Sequence, residues 1–460
     1  MMSLNVFGIR GENSSAISQK IVASTLNTIQ QLLPESTIQQ VCHQVGYTYR
    51  DRVLTPAVTV LHMILAALWP EESFNASWQV QWAAVTSRYP HVQGQSPSRG
   101  TVSKARARLP LGVWEQLCAS ISRKAQTLAE AFAYWRGHRV VLLDGTCVSM
   151  PDEPALREAF GTNTGYHGEG RYPLARVVSL CLAGTMTVIS YALGGYRQDE
   201  TKLAYSILPT LKKGDLLVAD RHFAAAHYYW HYLSLGLEFL TRAHQRLKIS
   251  HIRRVHCSSG NDFLGWLPIN KNYRRKNPGL PAKILVRFIQ ATVRIRGKRQ
   301  VLWLATSLLD DRRYPAAEIV QIYGRRWRIE TMFEQLKIRL SADVLRSCSP
   351  DGVRKELAAR CIALNIVHSI MLEAASRHGV DPMRISFAHA VRAIVMFSPA
   401  LACEPIFKLP QIYDALLLEI ADHRVPERLG RNEPRAIRRE RKHYPALRRT
   451  RAEWRKRYAA

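Results

Sequence analysis

The sequence predicts an α/β protein: a mixed sheet flanked by helices, interrupted by a β-rich segment and bounded by helical N- and C-terminal regions. Two short, wholly apolar runs, Val140-Val141-Leu142-Leu143 and Leu216-Leu217-Val218-Ala219, read as strands covered on both faces. Alternating stretches between about residues 245 and 308 read as further strands, and apolar residues at helical spacing lie to either side. A chain of 460 residues is too long for one core. At roughly 150 residues per domain it implies about three.

Taken in order, Ile21 to Leu33 is expected to be helical and to end before Pro34. Thr55-Pro56 opens the apolar run Ala57 to Trp69, which Pro70 stops. Ser98 or Thr101 is a cap for a short basic helix from Val102 to Leu109, with Arg99, Lys104, Arg106 and Arg108 on its exposed side, and Leu111 to Leu128 follows as another helix. Together these resemble a small helical bundle with a DNA-reading helix. Val177 to Tyr196 holds 20 residues without a charge, enough for a membrane span. The break at Ala183-Gly184 and the β-branched residues on either side favour a buried hairpin. Leu203 to Leu211 reads as a helix, strands include Ala282 to Ile289 and Gln300 to Thr306, and the pattern after Pro315 is helical to about residue 420. These shifts give a helical region at 1–135, a core in two parts at 136–245 and 309–350, a β-rich basic insertion at 246–308, a helical region at 351–423 and a basic tail at 424–460.

Charge narrows the function. There are 65 Lys and Arg against 36 Asp and Glu, a net +29. Residues 221–329 carry +16 and residues 424–460 carry +10, while 136–220 are neutral. Basic surface gathered in this way predicts a polyanionic partner, above all nucleic acid. The eight cysteines contain no Cys-x-x-Cys pair, so neither a zinc ribbon nor a disulfide framework is supported. The sixteen histidines show no helical His-x3-His pair beside a Glu, as a zinc hydrolase would need. Gly161, Gly165, Gly168 and Gly170 are followed by no Gly-Lys-Ser/Thr, which excludes a phosphate-cradling nucleotide loop. The opening residues lack a charged-then-apolar leader, so a cytoplasmic, nucleoid-associated protein with no membrane partner is expected.

Both apolar strands end in an aspartate. The first gives Leu143-Asp144-Gly145-Thr146, the second Ala219-Asp220-Arg221-His222-Phe223. Carboxylates delivered to the carboxyl edge of a sheet are candidate ligands for Mg²⁺, a hard cation that keeps waters and binds substrate phosphates. A third carboxylate lies in the helical stretch Tyr323 to Lys337. At 100° per residue, Tyr323, Arg326, Glu330 and Lys337 fall within a wedge of about 60°. That stripe suits a face that holds a metal through Glu330 and DNA phosphates through its neighbours. Asp199-Glu200, in a turn beyond the hairpin, are weaker competitors for the ligand role.

This stretch matches Y-x2-R-x3-E-x6-K, and with the Asp-Gly-Thr and Asp-Arg-x-Phe sites before it the chain resembles the insertion-sequence-four family of DDE transposases over roughly residues 55–400. The resemblance implies a ribonuclease-H-like core with the triad Asp144, Asp220 and Glu330, holding two Mg²⁺ ions for which Mn²⁺ can substitute. It implies a β-strand insertion between the second Asp and the Glu, which here is the segment of charge +16. Tyr323, Arg326 and Lys337 correspond to positions that hold phosphate at the transposon end, and Arg221 is read as a further DNA contact. Water would free a 3′-hydroxyl, which then attacks a second strand. The partners would be the terminal inverted repeats and target DNA, bound by a homodimer. A hairpin route would flip a base onto an aromatic, for which Trp303 is the first candidate and Trp266 the second. The rivals are a nuclease without strand transfer and a DNA-binding protein that no longer reacts.

Overall fold

The computed structural model describes residues 32–426 apart from positions 51, 72, 89–95, 166–167, 296–297 and 405, together with Ile29, Glu453, Lys456 and Arg457. Most of the expected helix from Ile21 to Leu33 and most of the basic tail lie outside these residues. The described chain opens with helices α1 (Glu35–Gln44), α2 (Pro56–Leu68), α3 (Phe74–Arg88), α4 (Arg99–Arg108) and α5 (Leu111–Leu128). Thr55 caps α2, its hydroxyl accepting from the Val58 amide at 3.3 Å, and Ser98 does the same for α4 through Thr101. Arg106 is not on the exposed side of α4; its guanidinium lies over the Phe74 ring, 3.6 Å from the centroid.

The strands are β1 (Tyr134–Trp135), β2 (His138–Ser149), β3 (Thr162–Gly165), β4 (Gly168–Leu182), β5 (Val188–Gly195), β6 (Leu216–Ala219), β7 (Glu238–Arg242), β8 (Arg253–Ser259), β9 (Asp262–Pro268), β10 (Lys283–Ile295) and β11 (Lys298–Thr306). They form one sheet in the order β3-β4-β2-β6-β7-β11-β10-β9-β8, with β1 on β2 and β5 on β4. β2, β4 and β5 pair antiparallel, whereas β6 and β7 join β2 in parallel. The uncharged stretch from Val177 to Tyr196 is thus most of the β4–β5 hairpin. A parallel neighbour requires a crossover. Helix α7 (Glu200–Ile207; α6 is Pro154–Phe160) leads to β6, and α8 (Ala226–Ser234) to β7. This mixed sheet flanked by helices is the ribonuclease-H-like arrangement.

The insertion continues the same sheet. β11 pairs antiparallel with β7 through Leu304 and Arg242, and β10, β9 and β8 follow outward, with α9 (Lys271–Lys276) between β9 and β10. A buried arginine fastens it to the core: Arg287 on β10, oriented by Asp262 of the neighbouring β9 at 2.5 and 2.8 Å, donates to the Tyr314 carbonyl at 2.7 Å. After Pro315 come α10 (Ala316–Gly324) and α11 (Trp327–Glu334), then α12 (Pro350–His378), α13 (Phe387–Cys403) and α14 (Leu409–Asp422). Helix α12 is long and apolar enough to cross a membrane, but it is buried within the protein. It meets the sheet through Asn365, whose side-chain amide both accepts from the Val188 amide and donates to the Val188 carbonyl, each at 2.9 Å.

Candidate active site

The site lies where the parallel pairing of β2 with β6 ends. Leu143 of β2 is in register with Ala219 of β6, so Asp144 and Asp220 stand at the same level of adjacent strands. The expectation that both strands end at their aspartate holds for β6 alone: β2 runs on to Ser149, paired with β4, and Asp144 lies within it. Adjacent strands lie about 4.8 Å apart. Alternation puts Asp144 on the face of Val140 and Leu142, and Asp220 on that of Leu216 and Val218. Ile329, Met332 and Phe333 of α11 pack into the same core on that face. Beyond Ala219 the strand stops because Asp220 caps a 3₁₀ turn, its Oδ1 accepting from the His222 amide at 2.7 Å.

The helix bearing the third carboxylate differs from the sequence expectation. It is not one continuous helix: α10 ends at Gly324, and the chain tightens through i→i−3 bonds from Arg325 to Ile322 and from Arg326 to Tyr323 before α11 begins. After Glu334 it widens into a π turn over residues 335–339, where the Leu340 amide reaches the Gln335 carbonyl. Gln335 is held from behind by His368 of α12 at 2.9 Å. This widening carries Lys337 over β2, where its Nζ donates to the Cys147 carbonyl at 2.9 Å and to the Thr146 hydroxyl at 3.2 Å.

Arg326 joins the carboxylates. Its Nη1 lies 3.3 Å from Asp144 Oδ2 and its Nη2 lies 3.4 Å from Glu330 Oε1. Both contacts are long against the roughly 2.8 Å of a close charge-assisted bond, so Arg326 holds neither carboxylate tightly; the close bond Asp144 does receive is from the Gly145 amide, at 2.8 Å to Oδ1. Burial pushes the Asp144 carboxyl up to about 6, and the Gly145 amide and Arg326 only partly oppose this. Tyr323 is buried beside Arg326; burial also raises its phenol, against the pull of Arg326, while the nearby Asp220 adds to the rise. Glu330 is half exposed, at 49% of its side chain, so the cluster opens to solvent along the helix.

Asp144, Asp220 and Glu330 lie on one face and offer only oxygen donors, with a buried aspartate whose charge is under-compensated; in the metal-free protein these oxygens are not all gathered within 4.8 Å of one another. Such a set fits a divalent cation with hard-oxygen preference. Arg242, the last residue of β7, stands level with Asp220, since Ala219 pairs with Thr241. The sequence reading missed it, though it closes β7 much as Asp220 follows β6. Arg221 is exposed and donates to Gln245 at 2.8 Å. Trp303 is not brought into the cluster. It lies on the opposite face of the sheet, edge-on to Phe263 at 5.7 Å. Trp266 carries Lys283, 4.5 Å from its ring centroid. The exposed aromatic next to the cluster is Trp327, with the Arg326 guanidinium 4.4 Å from its ring.

Glu200 is a further acidic neighbour. It opens α7, pairs with Arg176 at 2.7 Å and lies against Gly145. Among the described residues a separate trio, His389, Glu419 and His423, brings donor atoms within 4.8 Å of one another. Its two imidazoles are stacked parallel with centroids 3.4 Å apart, so their in-plane lone pairs do not converge on one ion.

Residues 135–366 match the family profile described as the transposase DDE domain, half of the chain and all of the cluster above. The chain belongs to the insertion-sequence-four family of DDE transposases. The transposase InsG for insertion sequence element IS4 of Escherichia coli K12 is 25% identical over 323 residues, 68% of this chain and 70% of that protein. A putative transposase InsZ of the same organism is 30% identical over 127 residues, 27% of this chain and 42% of that protein. As a DDE transposase the chain is a DNA-binding enzyme of phosphodiester chemistry that uses divalent metal.

Proposed function

We propose that this transposase cuts and joins DNA in a Mg²⁺-dependent, cut-and-paste reaction, with Asp144, Asp220 and Glu330 as ligands for two ions. The observation that carries the reading is Arg326, which touches both Asp144 and Glu330 while Asp220 stands one strand away. Paired divalent ions, when bound, supply activation of an attacking oxygen and neutralisation of a leaving one. Asp144, the buried carboxylate of the three, would hold the ions together with Asp220 and Glu330. Arg326 holds Glu330 towards Asp144 and presents its charge to a phosphate at the same point. Tyr323 keeps Arg326 oriented from the buried side. Lys337, Arg221 and Arg242 extend a cationic rim along which the strand to be cut can lie.

The N-terminal helices are assigned to the element ends, with Arg99, Lys104 and Arg108 exposed on α4. The basic insertion grips flanking or target DNA. Two ends must be cut together, which calls for a dimer on DNA, and the reaction belongs in the cytoplasm at the nucleoid. A hairpin route needs an aromatic for the flipped base. Trp327 is better placed for it than Trp303, because it is exposed and lies on the helix that carries Glu330. A supercoiled plasmid bearing matched element ends tests the reading. Joined products support it; nicks without joining reduce it to a nuclease, and salt-sensitive retardation without cleavage reduces it to a binder.

A further inference from the structure

Residues 335–339, Gln-Leu-Lys-Ile-Arg, hold neither glycine nor proline, and nothing in them resists an ordinary α-helix. The π turn they form is therefore no local preference; such turns are rare and occur mostly singly, at functional sites. Helix α12 holds this one open at both ends. At its start Gln335 is buried, with 5% exposure, and its Oε1 accepts from His368 Nε2 at 2.9 Å. At its finish the Leu340 carbonyl accepts from Arg360 Nε at 2.9 Å, and Arg360 is itself buried and paired with Glu356 at 2.7 Å.

The bond to His368 has one direction. Burial lowers the imidazole to about 3, so the ring is neutral and carries a single N–H. A Gln carbonyl oxygen only accepts, which places that proton on Nε2. Phe387 of α13 braces the ring edge-on, with centroids 5.3 Å apart. A buried amide is costly to leave unpaired, so this contact selects the turn of the helix that faces α12. Lys337, two residues on, is what the selection moves. In an unbroken helix seven residues turn about 700°, which would leave Lys337 about 20° from Glu330. The wide turn breaks that alignment. Lys337 instead reaches Thr146 and Cys147, just beyond Asp144 on β2, with Thr146 on the same face of the strand as Asp144.

We propose that His368, acting through Gln335, is a positioning residue for engagement of the DNA end: it holds the π turn open and so sets the Lys337 ammonium beside the strand of Asp144, where the phosphate of the cleaved end lies. This rests on the reading of Lys337 as a phosphate contact. The test compares full-length variants by the salt dependence of their binding to a duplex carrying one element end. Gln335→Met combined with His368→Leu removes both partners and leaves apolar groups of similar size, so the fold is kept. Its log–log slope is expected to fall by about one, as for Lys337→Ala, with no further fall when all three changes are combined. His368→Gln, whose side-chain amide still offers Gln335 a donor, should keep the parental slope. A merely structural role would move the urea midpoint and leave the slope alone. If Lys337→Ala flattens the slope and the paired variant does not, His368 does not position Lys337, and Lys337 keeps its phosphate. If Lys337→Ala leaves the slope unchanged, the phosphate reading fails, and positioning is decided on the free protein by acetylation of the Lys337 amine, read by mass spectrometry. A faster reaction in the paired variant than in the parent upholds it; an equal rate overturns it.

Discussion

Asp144 combines burial with a charge that Arg326 only loosely meets, and this has a consequence for stability. Its folded value of about 6 lies above the ordinary 3.8, so the folded metal-free protein holds that proton more tightly than the unfolded chain does. Stability is therefore lost as pH rises from about 4 to about 6, and the penalty persists above; two units correspond to roughly 3 kcal/mol at most. Urea titrations of the metal-free protein at pH 5 and pH 8 should show this difference, and Asp144→Asn should largely remove it while abolishing cleavage. Glu330→Gln should likewise abolish cleavage yet leave end binding nearly unchanged in a gel-shift titration, because Glu330 is half exposed and supports no packing. Retained cutting would remove Glu330 from the site.

The elements that present these residues were unevenly legible in the sequence. Apolar runs identified β2 and β6, because a strand covered on both faces leaves a continuous signal, and the Asp after each run followed from it; that β2 continues to Ser149 did not, because its second half lacks the apolar run. The 100° periodicity grouped Tyr323, Arg326 and Glu330, but it assumed one regular helix. The tight turn at Gly324–Arg326 and the π turn at 335–339 come from contacts distant in sequence, such as His368 to Gln335, which no local pattern records. The approach of Glu200 to Gly145 is hidden for a similar reason: the β4–β5 hairpin that folds it back separates the two along the chain. Trp303 was picked for its place near the end of the insertion, whereas strand alternation turns its ring away from the α11 face. The Arg287–Asp262 pair belongs at this scale too. It ties β10 and β9 to the chain at Tyr314, just before α10. Asp262→Ala leaves a buried guanidinium without its partner and should cost about 3–5 kcal/mol in chemical denaturation. A loss below about 1 kcal/mol would mean the insertion is fastened elsewhere.

For the whole molecule, charge and architecture point the same way. Of the 21 Lys and Arg in residues 221–329, 14 lie in the insertion at 246–308, whose strands extend the catalytic sheet past β7, so basic residues run outward from the side of Asp220. DNA affinity should fall steeply with salt, and each phosphate-binding cation removed should flatten the log–log slope by about one. Lys337→Ala makes this specific: a slope lower by about one places Lys337 on a phosphate, and an unchanged slope leaves it only the tie to Thr146 and Cys147. The most direct test of the central claim, that carboxylates 76 and 110 positions apart in sequence form one cation site, needs no DNA. Fe²⁺ with ascorbate and peroxide cleaves a polypeptide beside the bound ion. Scission clustered near residues 144, 220 and 330, and suppressed together by Mg²⁺, is the result the account predicts; scission at only one of them, or cutting indifferent to Mg²⁺, would contradict it.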